Sequence, residues 1–109
     1  MLELLSLDNR PDAVYVAGDY AALGALQVLN EEKINIPNEI ALVGFGNEPF
    51  SSLVTPSLTS IEQHSKEIGK QAALAFLEHA KNDVVKQTLI KRILDVELLV
   101  RDSSNRNKS

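Results

Sequence analysis

Asp19 is the residue whose type and place in the chain best suit chemistry. It follows the apolar run Ala13-Val14-Tyr15-Val16-Ala17 and Gly18, where an extended segment turns into a helical one. A carboxylate there accepts hydrogen bonds from the free amides of a first helical turn and meets the positive end of the helix dipole. The ordinary reading of Asp19 is therefore an N-cap, and a ligand contact is compatible with it. Acid–base catalysis needs a second titratable group close by with a matched pKa, and the neighbouring loops supply none. His64 and His79 are well separated in sequence and no cysteine joins them as a ligand set. His79 reads as the rim of an amphipathic helix; His64, just before a helix start, faces either a ligand mouth or solvent. Glu31, Glu32 and Glu67 fall on polar helix faces. Gly44-Phe45-Gly46 lacks the third glycine of a dinucleotide loop. Neither a phosphate-binding P-loop nor a nucleophile elbow is present. These residues argue against an enzyme, and no cofactor or metal is expected.

The elements that must position Asp19 alternate between strand and helix. Leu2 to Leu7 reads as the tail of a helix, and Asn9-Arg10-Pro11-Asp12 as a turn. Ala13 to Ala17 has strand length and no polar alternation, which predicts burial on both faces, as in parallel sheets. Ala22, Leu23, Leu26 and Leu29 recur at helical spacing between Tyr20 and Lys33. Ile40 to Phe45 is a second buried strand, leading into the permissive turn Gly46-Asn47. Glu48 to Val54 is short, with Pro49 suited to a first helical turn, and Thr55-Pro56 ends it.

Leu58 to Gln63 is a third extended piece. Ser65 to Lys81 is amphipathic, with Ile68, Ala72, Ala75 and Phe76 on one face and Lys66, Lys70 and Glu78 opposite. Thr88 to Val100 ends in alternation, predicting a half-exposed edge strand with Leu94, Val96, Leu98 and Val100 on one side. Ser103 to Ser109 is polar and expected to fray. Strand–helix–strand order with short loops implies a right-handed parallel α/β unit. Ligands of such sheets gather at the carboxyl ends of the strands. Two loops qualify: Gly18-Asp19-Tyr20 and Gly46-Asn47-Glu48.

Composition narrows the possible partners. With 109 residues and 44% of them apolar, the chain is the size of one small domain with material for a core. A net charge of −4 argues against this segment gripping phosphates, because nucleic-acid affinity rests on clustered Lys and Arg. No apolar stretch approaches a membrane span and no leader stands at Met1, so no membrane association is expected. The absence of cysteine suits a reducing cytoplasm. Tyr20, Leu23, Phe50 and Leu53 begin the elements that leave the strand tips. Phe50-Ser51-Ser52-Leu53-Val54 holds more large apolar residues than one face can hide, and an exposed apolar patch marks an interface.

Four ordered stretches carry a family resemblance. They are Pro11-Asp12 running into AVYVAGDYAALGAL, then IPNEIALVGFGN, then TPSLTSIEQ with Ile68-Gly69 and Ala72-Ala73, and finally ELLVRDSS. Together they resemble the C-terminal region of the LacI/GalR transcriptional regulators over roughly residues 11 to 104. A related periplasmic sugar-binding fold shares the architecture, though TPSLTSIEQ and ELLVRDSS look more like the repressors. The resemblance implies an α/β parallel-sheet sandwich, here the C-terminal lobe of a type I periplasmic-binding-protein-like fold as a partial domain.

In that scheme residues 1–63 form the βαβ segment of the lobe, and 64–88 a helix belonging to the N-terminal lobe. Residues 89–104 are the returning strand and 105–109 a tail. The chain would cross between lobes near Gln63 and return near Leu89. The apolar face with Ile68, Ala72 and Phe76 would then lack its natural partner in this chain.

The resemblance also implies a small-molecule effector, sugar-like, and a homodimer. Operator DNA would be held only through an N-terminal head that this chain does not contain. Carried over residue by residue, the effector site comprises Gly18, Asp19, Gly46, Asn47, Gln63 and His64. The family's usual Asn before the Asp is replaced by Gly18, and its Asp after Gly-Phe or Gly-Tyr by Gly46. Gln63 matches a pocket-lining position of some members. Glycine makes no directed side-chain hydrogen bond to a sugar hydroxyl, which removes discrimination. The dimer contacts map onto Tyr20, Leu23, Phe50 and Leu53.

Overall fold

The computed structural model describes residues 1–81 and 91–107. Thr88, the expected start of the returning strand, and the expected return near Leu89 lie outside the described residues. The chain divides into two compact units, Met1–Glu62 with Glu97–Ser109, and Gln63–Val96.

In the first unit the order is α1 (Leu2–Leu5), β1 (Ala13–Tyr15), α2 (Asp19–Glu31), β2 (Ala41–Val43), a 3-10 turn (Pro49–Ser52), β3 (Ser60–Glu62) and β4 (Glu97–Leu99). β1 and β2 pair in parallel, Val14 opposite Leu42. β3 and β4 pair antiparallel, Ile61 opposite Leu98. A parallel bridge between Val43 and Thr59 joins the two pairs, reinforced by Gly44 N–H to Thr59 O at 2.9 Å and Gly46 N–H to Ile61 O at 2.9 Å. The predicted parallel α/β unit is present, with β4 returning antiparallel beside β3.

The core lies between the sheet and α2. Ala22, Ala25, Leu26 and Leu29 of α2 meet Ile40, Leu42 and Leu58, with Ile34, Ile36 and Val54 packed around them. The helical spacing of the α2 residues puts them on one stripe, and burial of that stripe is what stabilises the helix. Ser103 closes the far side: its hydroxyl donates to Leu42 O at 2.5 Å and accepts from Thr59 N–H at 2.9 Å. Arg106 ties the tail down through Pro37 O at 2.8 Å and Asp12 O. The expectation of fraying fails over residues 103–107, because a buried serine and a guanidinium find backbone acceptors there; residues 108 and 109 lie outside the described residues.

Burial differs from expectation at two strands. β1 was expected to be buried on both faces, yet Tyr15 is 59% exposed. Among the described residues β1 has β2 as its one neighbour, and α2 covers the other face of the sheet. β4 does not alternate in burial: Glu97 and Leu98 are both exposed and Leu99 is half-buried, while Val100 just beyond the strand is exposed.

The second unit is built on α3 (Ser65–Ala80), and no residue of α3 is buried. Leu94 and Arg92 lie against Ile68, Gln71, Ala72 and Ala75. Arg92 donates to Gln71 Oε1 at 2.8 Å and to Glu78 Oε2 at 2.9 Å. The apolar face predicted from spacing exists, and Phe76 on it is 70% exposed.

Candidate functional site: the strand-tip loops

Parallel pairing brings the carboxyl ends of β1 and β2 side by side. Val16 N–H donates to Val43 O at 2.8 Å and Asp19 N–H to Phe45 O at 3.0 Å. The Gly18-Asp19 and Gly46-Asn47 loops therefore share one edge of the sheet. Gln63 and His64 open the second unit, where His64 occupies the N-cap position of α3 with φ 55°.

Asp19 does not cap its helix. Gly18 holds the N-cap position with extended backbone, and Asp19 is the first helical residue. Its carboxylate, 2% exposed, turns toward the neighbouring loops. Oδ2 accepts from Glu48 N–H at 2.8 Å and Ser51 Oγ at 2.9 Å, and Oδ1 accepts from Ser60 Oγ at 2.8 Å. Two hydroxyls and an amide in a buried setting hold a carboxylate more strongly than the amides of a solvated helix end. Its negative charge still lies in the first turn, where the helix dipole favours it.

Gly44 is part of this arrangement. A Cβ built on it would stand 2.2 Å from Asp19 Oδ1, so the glycine vacates the space the carboxylate fills. Neither Ser51, Ser60 nor Gly44 was singled out in the sequence as a site residue. The only available signal was indirect: hydroxyl residues inside apolar stretches.

The outer part of the loop is held by a second polar set. Asn47 accepts through Oδ1 from the Arg101 guanidinium at 2.7 Å and donates through Nδ2 to Glu62 Oε2 at 2.9 Å. Arg101 also donates to Leu58 O at 2.8 Å. Asn47 stands at φ 51°, a left-handed conformation Asn tolerates better than most residues. The amide side chain expected to meet a ligand is thus engaged by β3 and by the residues after β4.

Gly18 and Gly46 differ in what they demand. A Cβ on either would meet nothing within 4 Å. Gly18 has φ −164°, which any residue adopts, whereas Gly46 has φ +116°, where a side chain is strained. An aspartate at position 46 would therefore need a different loop backbone.

Beside these loops lies an apolar surface. Tyr20 is 71% exposed and Leu53 80% exposed. Tyr20 and Phe50 pack ring to ring, centroids 5.1 Å apart and tilted by 59°. Leu23 is half-buried and lines a groove with Leu26, Gln27 and Val54. The four apolar residues singled out from the sequence form one neighbourhood at the start of α2 and the 3-10 turn. Among the described residues no cluster of acidic or histidine side chains is arranged to hold a metal ion, and no helix is long and apolar enough to cross a membrane.

The parallel α/β fold is matched by known proteins. The periplasmic binding protein-like domain matches residues 1–104. The HTH-type transcriptional repressor CytR of Escherichia coli K12 is 34% identical over 104 residues, 95% of this chain and 30% of the repressor. A LacI regulator from Bacillus cereus subsp. cytotoxis superimposes with a TM-score of 0.87 at 26% identity, over 95% of this chain and 36% of that one. The lac repressor dimer bound to operator and the anti-inducer ONPF gives a TM-score of 0.77 at 30% identity, over 86% and 32%. The chain belongs to the periplasmic-binding-protein-like family, in the LacI/GalR group. It spans about 30% of the length of the curated relatives it matches.

Proposed function

We propose that this chain is the C-terminal part of the effector-binding and dimerisation core of a LacI/GalR-type transcriptional regulator working in the cytoplasm. Operator DNA is contacted by a separate head, consistent with the net charge of −4 on this segment. The observation that carries the dimer is the apolar patch of exposed Tyr20 and Leu53 with half-buried Leu23 and Phe50. A large exposed aromatic–aliphatic cluster on one side of a folded unit is what a self-complementary twofold interface requires. The solved repressor of the same fold is a dimer. The chain works by binding and not by turnover, a reading supported by the Asp19 carboxylate being buried and bonded to protein donors.

The effector is a small polar molecule of sugar-like character held at the strand-tip edge, with Gly18, Gly46 and Asn47 as its neighbours in the first unit; Gln63 and His64 stay candidates on the family resemblance alone. Asp19 acts there as a support for the loop. With no side chain at positions 18 and 46, the loop backbones meet the ligand directly. Regulation requires that the ligand bind two states with different affinity.

Sedimentation of the chain and of Phe50→Glu tests the dimer. A dimeric native chain and a monomeric variant are expected. A monomeric native chain, or a variant of unchanged mass, rejects the interface. Thermal melting of the full-length regulator with a panel of mono- and disaccharides tests the ligand, since binding to the folded state alone raises Tm. No shift with any member rejects the sugar-like class.

A further inference from the structure

We propose that Asp19 is a positioning residue that couples the Gly46–Glu48 loop to the Tyr20/Phe50 surface. This rests on the dimer reading above and goes beyond it. Both ends of the coupling meet on one buried carboxylate. On the loop side, Asn47 N–H donates to Ser60 Oγ at 3.0 Å, and Ser60 Oγ donates in turn to Asp19 Oδ1 at 2.8 Å. A hydroxyl has a single proton, so Ser60 can serve Asp19 as donor while serving Asn47 only as acceptor. Glu48 N–H, the next amide of the loop, reaches Asp19 Oδ2 directly at 2.8 Å.

On the surface side, Ser51 Oγ lies 2.9 Å from the same Oδ2 and also reaches Glu48 O, so its single proton is shared between Asp19 and the loop carbonyl, and Ser51 is the chain neighbour of Phe50. Asp19 itself is the chain neighbour of Tyr20, whose ring lies 5.1 Å from that of Phe50. The carboxylate fills the space left by the missing side chain of Gly44, where a Cβ would come within 2.2 Å of its oxygen. Buried, charged and bonded on both oxygens, it transmits displacement: a shift of Asn47 or Glu48 must move Ser60 or Asp19, and with Asp19 the two aromatic rings. The loop that edges the strand-tip mouth and the surface that meets a second copy therefore hold one another's geometry.

The test is a double-mutant cycle read on the dimer dissociation constant by sedimentation equilibrium. Ser60 is fully buried and outside the apolar patch, so Ser60→Ala removes no dimer contact. Asp19→Asn is expected to weaken dimerisation about tenfold, the scale of one charge-assisted hydrogen bond. Ser60→Ala is expected to weaken it several-fold. In the Asp19→Asn background, Ser60→Ala should add nothing. Ser51→Ala, which keeps the carboxylate, should also weaken the dimer and serves if Asp19→Asn does not fold. Leu58→Ala, a core truncation, should lower Tm while leaving the constant within about twofold.

A merely structural role for Asp19 predicts parallel losses of Tm and no effect on the dimer. That result, or additive effects of the two substitutions, overturns the coupling while leaving the dimer intact. A native chain that never dimerises overturns the dimer reading and this inference together.

Discussion

α2 and α3 are both amphipathic helices of about four turns, and they meet opposite fates. α2 buries Asp19, Ala22, Ala25, Leu26 and Leu29 against Ile40, Leu42 and Leu58, while α3 buries nothing. Their apolar residues recur at the same helical spacing, so pattern does not separate them. What separates them is an opposing surface. α2 leaves a parallel strand and folds back onto the sheet it came from, as the right-handed crossover requires. Among the described residues of its own unit, α3 has the segment around Arg92 and Leu94 against it. An isolated helix of this length is marginal in water, because most helical stability in proteins comes from burial of the apolar face. Amphipathicity thus announces that a helix needs a partner without saying that the chain provides one.

Substitutions can break this comparison. The largest effect is expected at Gly44→Ala, where the new methyl displaces the Asp19 carboxylate and leaves Ser60 Oγ and Glu48 N–H without their acceptor. A loss of about 4 kcal/mol is expected from buried donors left unpaired. Urea titration followed by hydrogen exchange of the β2 amides measures it, and a loss below about 1 kcal/mol would contradict the packing described. Leu29→Ala, at a fully buried position of α2, should cost about 3 kcal/mol by the same measurement.

On α3 the signs and sizes change. Gly69 lies inside the helix with nothing within 4 Å of a Cβ, so Gly69→Ala should stabilise α3 by about 0.5–1 kcal/mol. Hydrogen exchange of the α3 amides reads this. Phe76→Ala, removing a ring that is already exposed, should change stability by less than about 0.5 kcal/mol. A loss at Phe76 as large as that at Leu29 would show that the face of α3 is covered in solution, and the contrast between the helices would collapse.

The same contrast explains what was legible beforehand. The strand and helix positions in the first unit follow from apolar runs and spacing, and boundaries differ by a residue or a few. Pro49 does open a short helical turn. The apolar surplus of Tyr20, Leu23, Phe50 and Leu53 was visible because too many large residues crowd a short stretch. Asp19 was visible as a special residue but assigned the wrong work. Its partners Glu48, Ser51 and Ser60 lie 29 to 41 positions away in sequence. Capping is a local rule, whereas these bonds are set by which strand tips end together. Arg101 and its hold on Asn47 across 54 positions were invisible for the same reason. The outward Tyr15 was missed because an apolar run signals need for cover and cannot count the neighbours a strand will have.

By itself the sequence determined the elements and the family pattern, because periodicity, turn residues and composition act over a few positions. It also determined that glycines stand at 18 and 46, leaving the strand tips without side chains. Tertiary structure alone decided what Asp19 does. Capping its own helix and bridging two loops are both open to a carboxylate at that position. The choice fell to the bridge when β2, β3 and the 3-10 turn delivered two hydroxyls and an amide to one buried point, beside a glycine that leaves room for the charge.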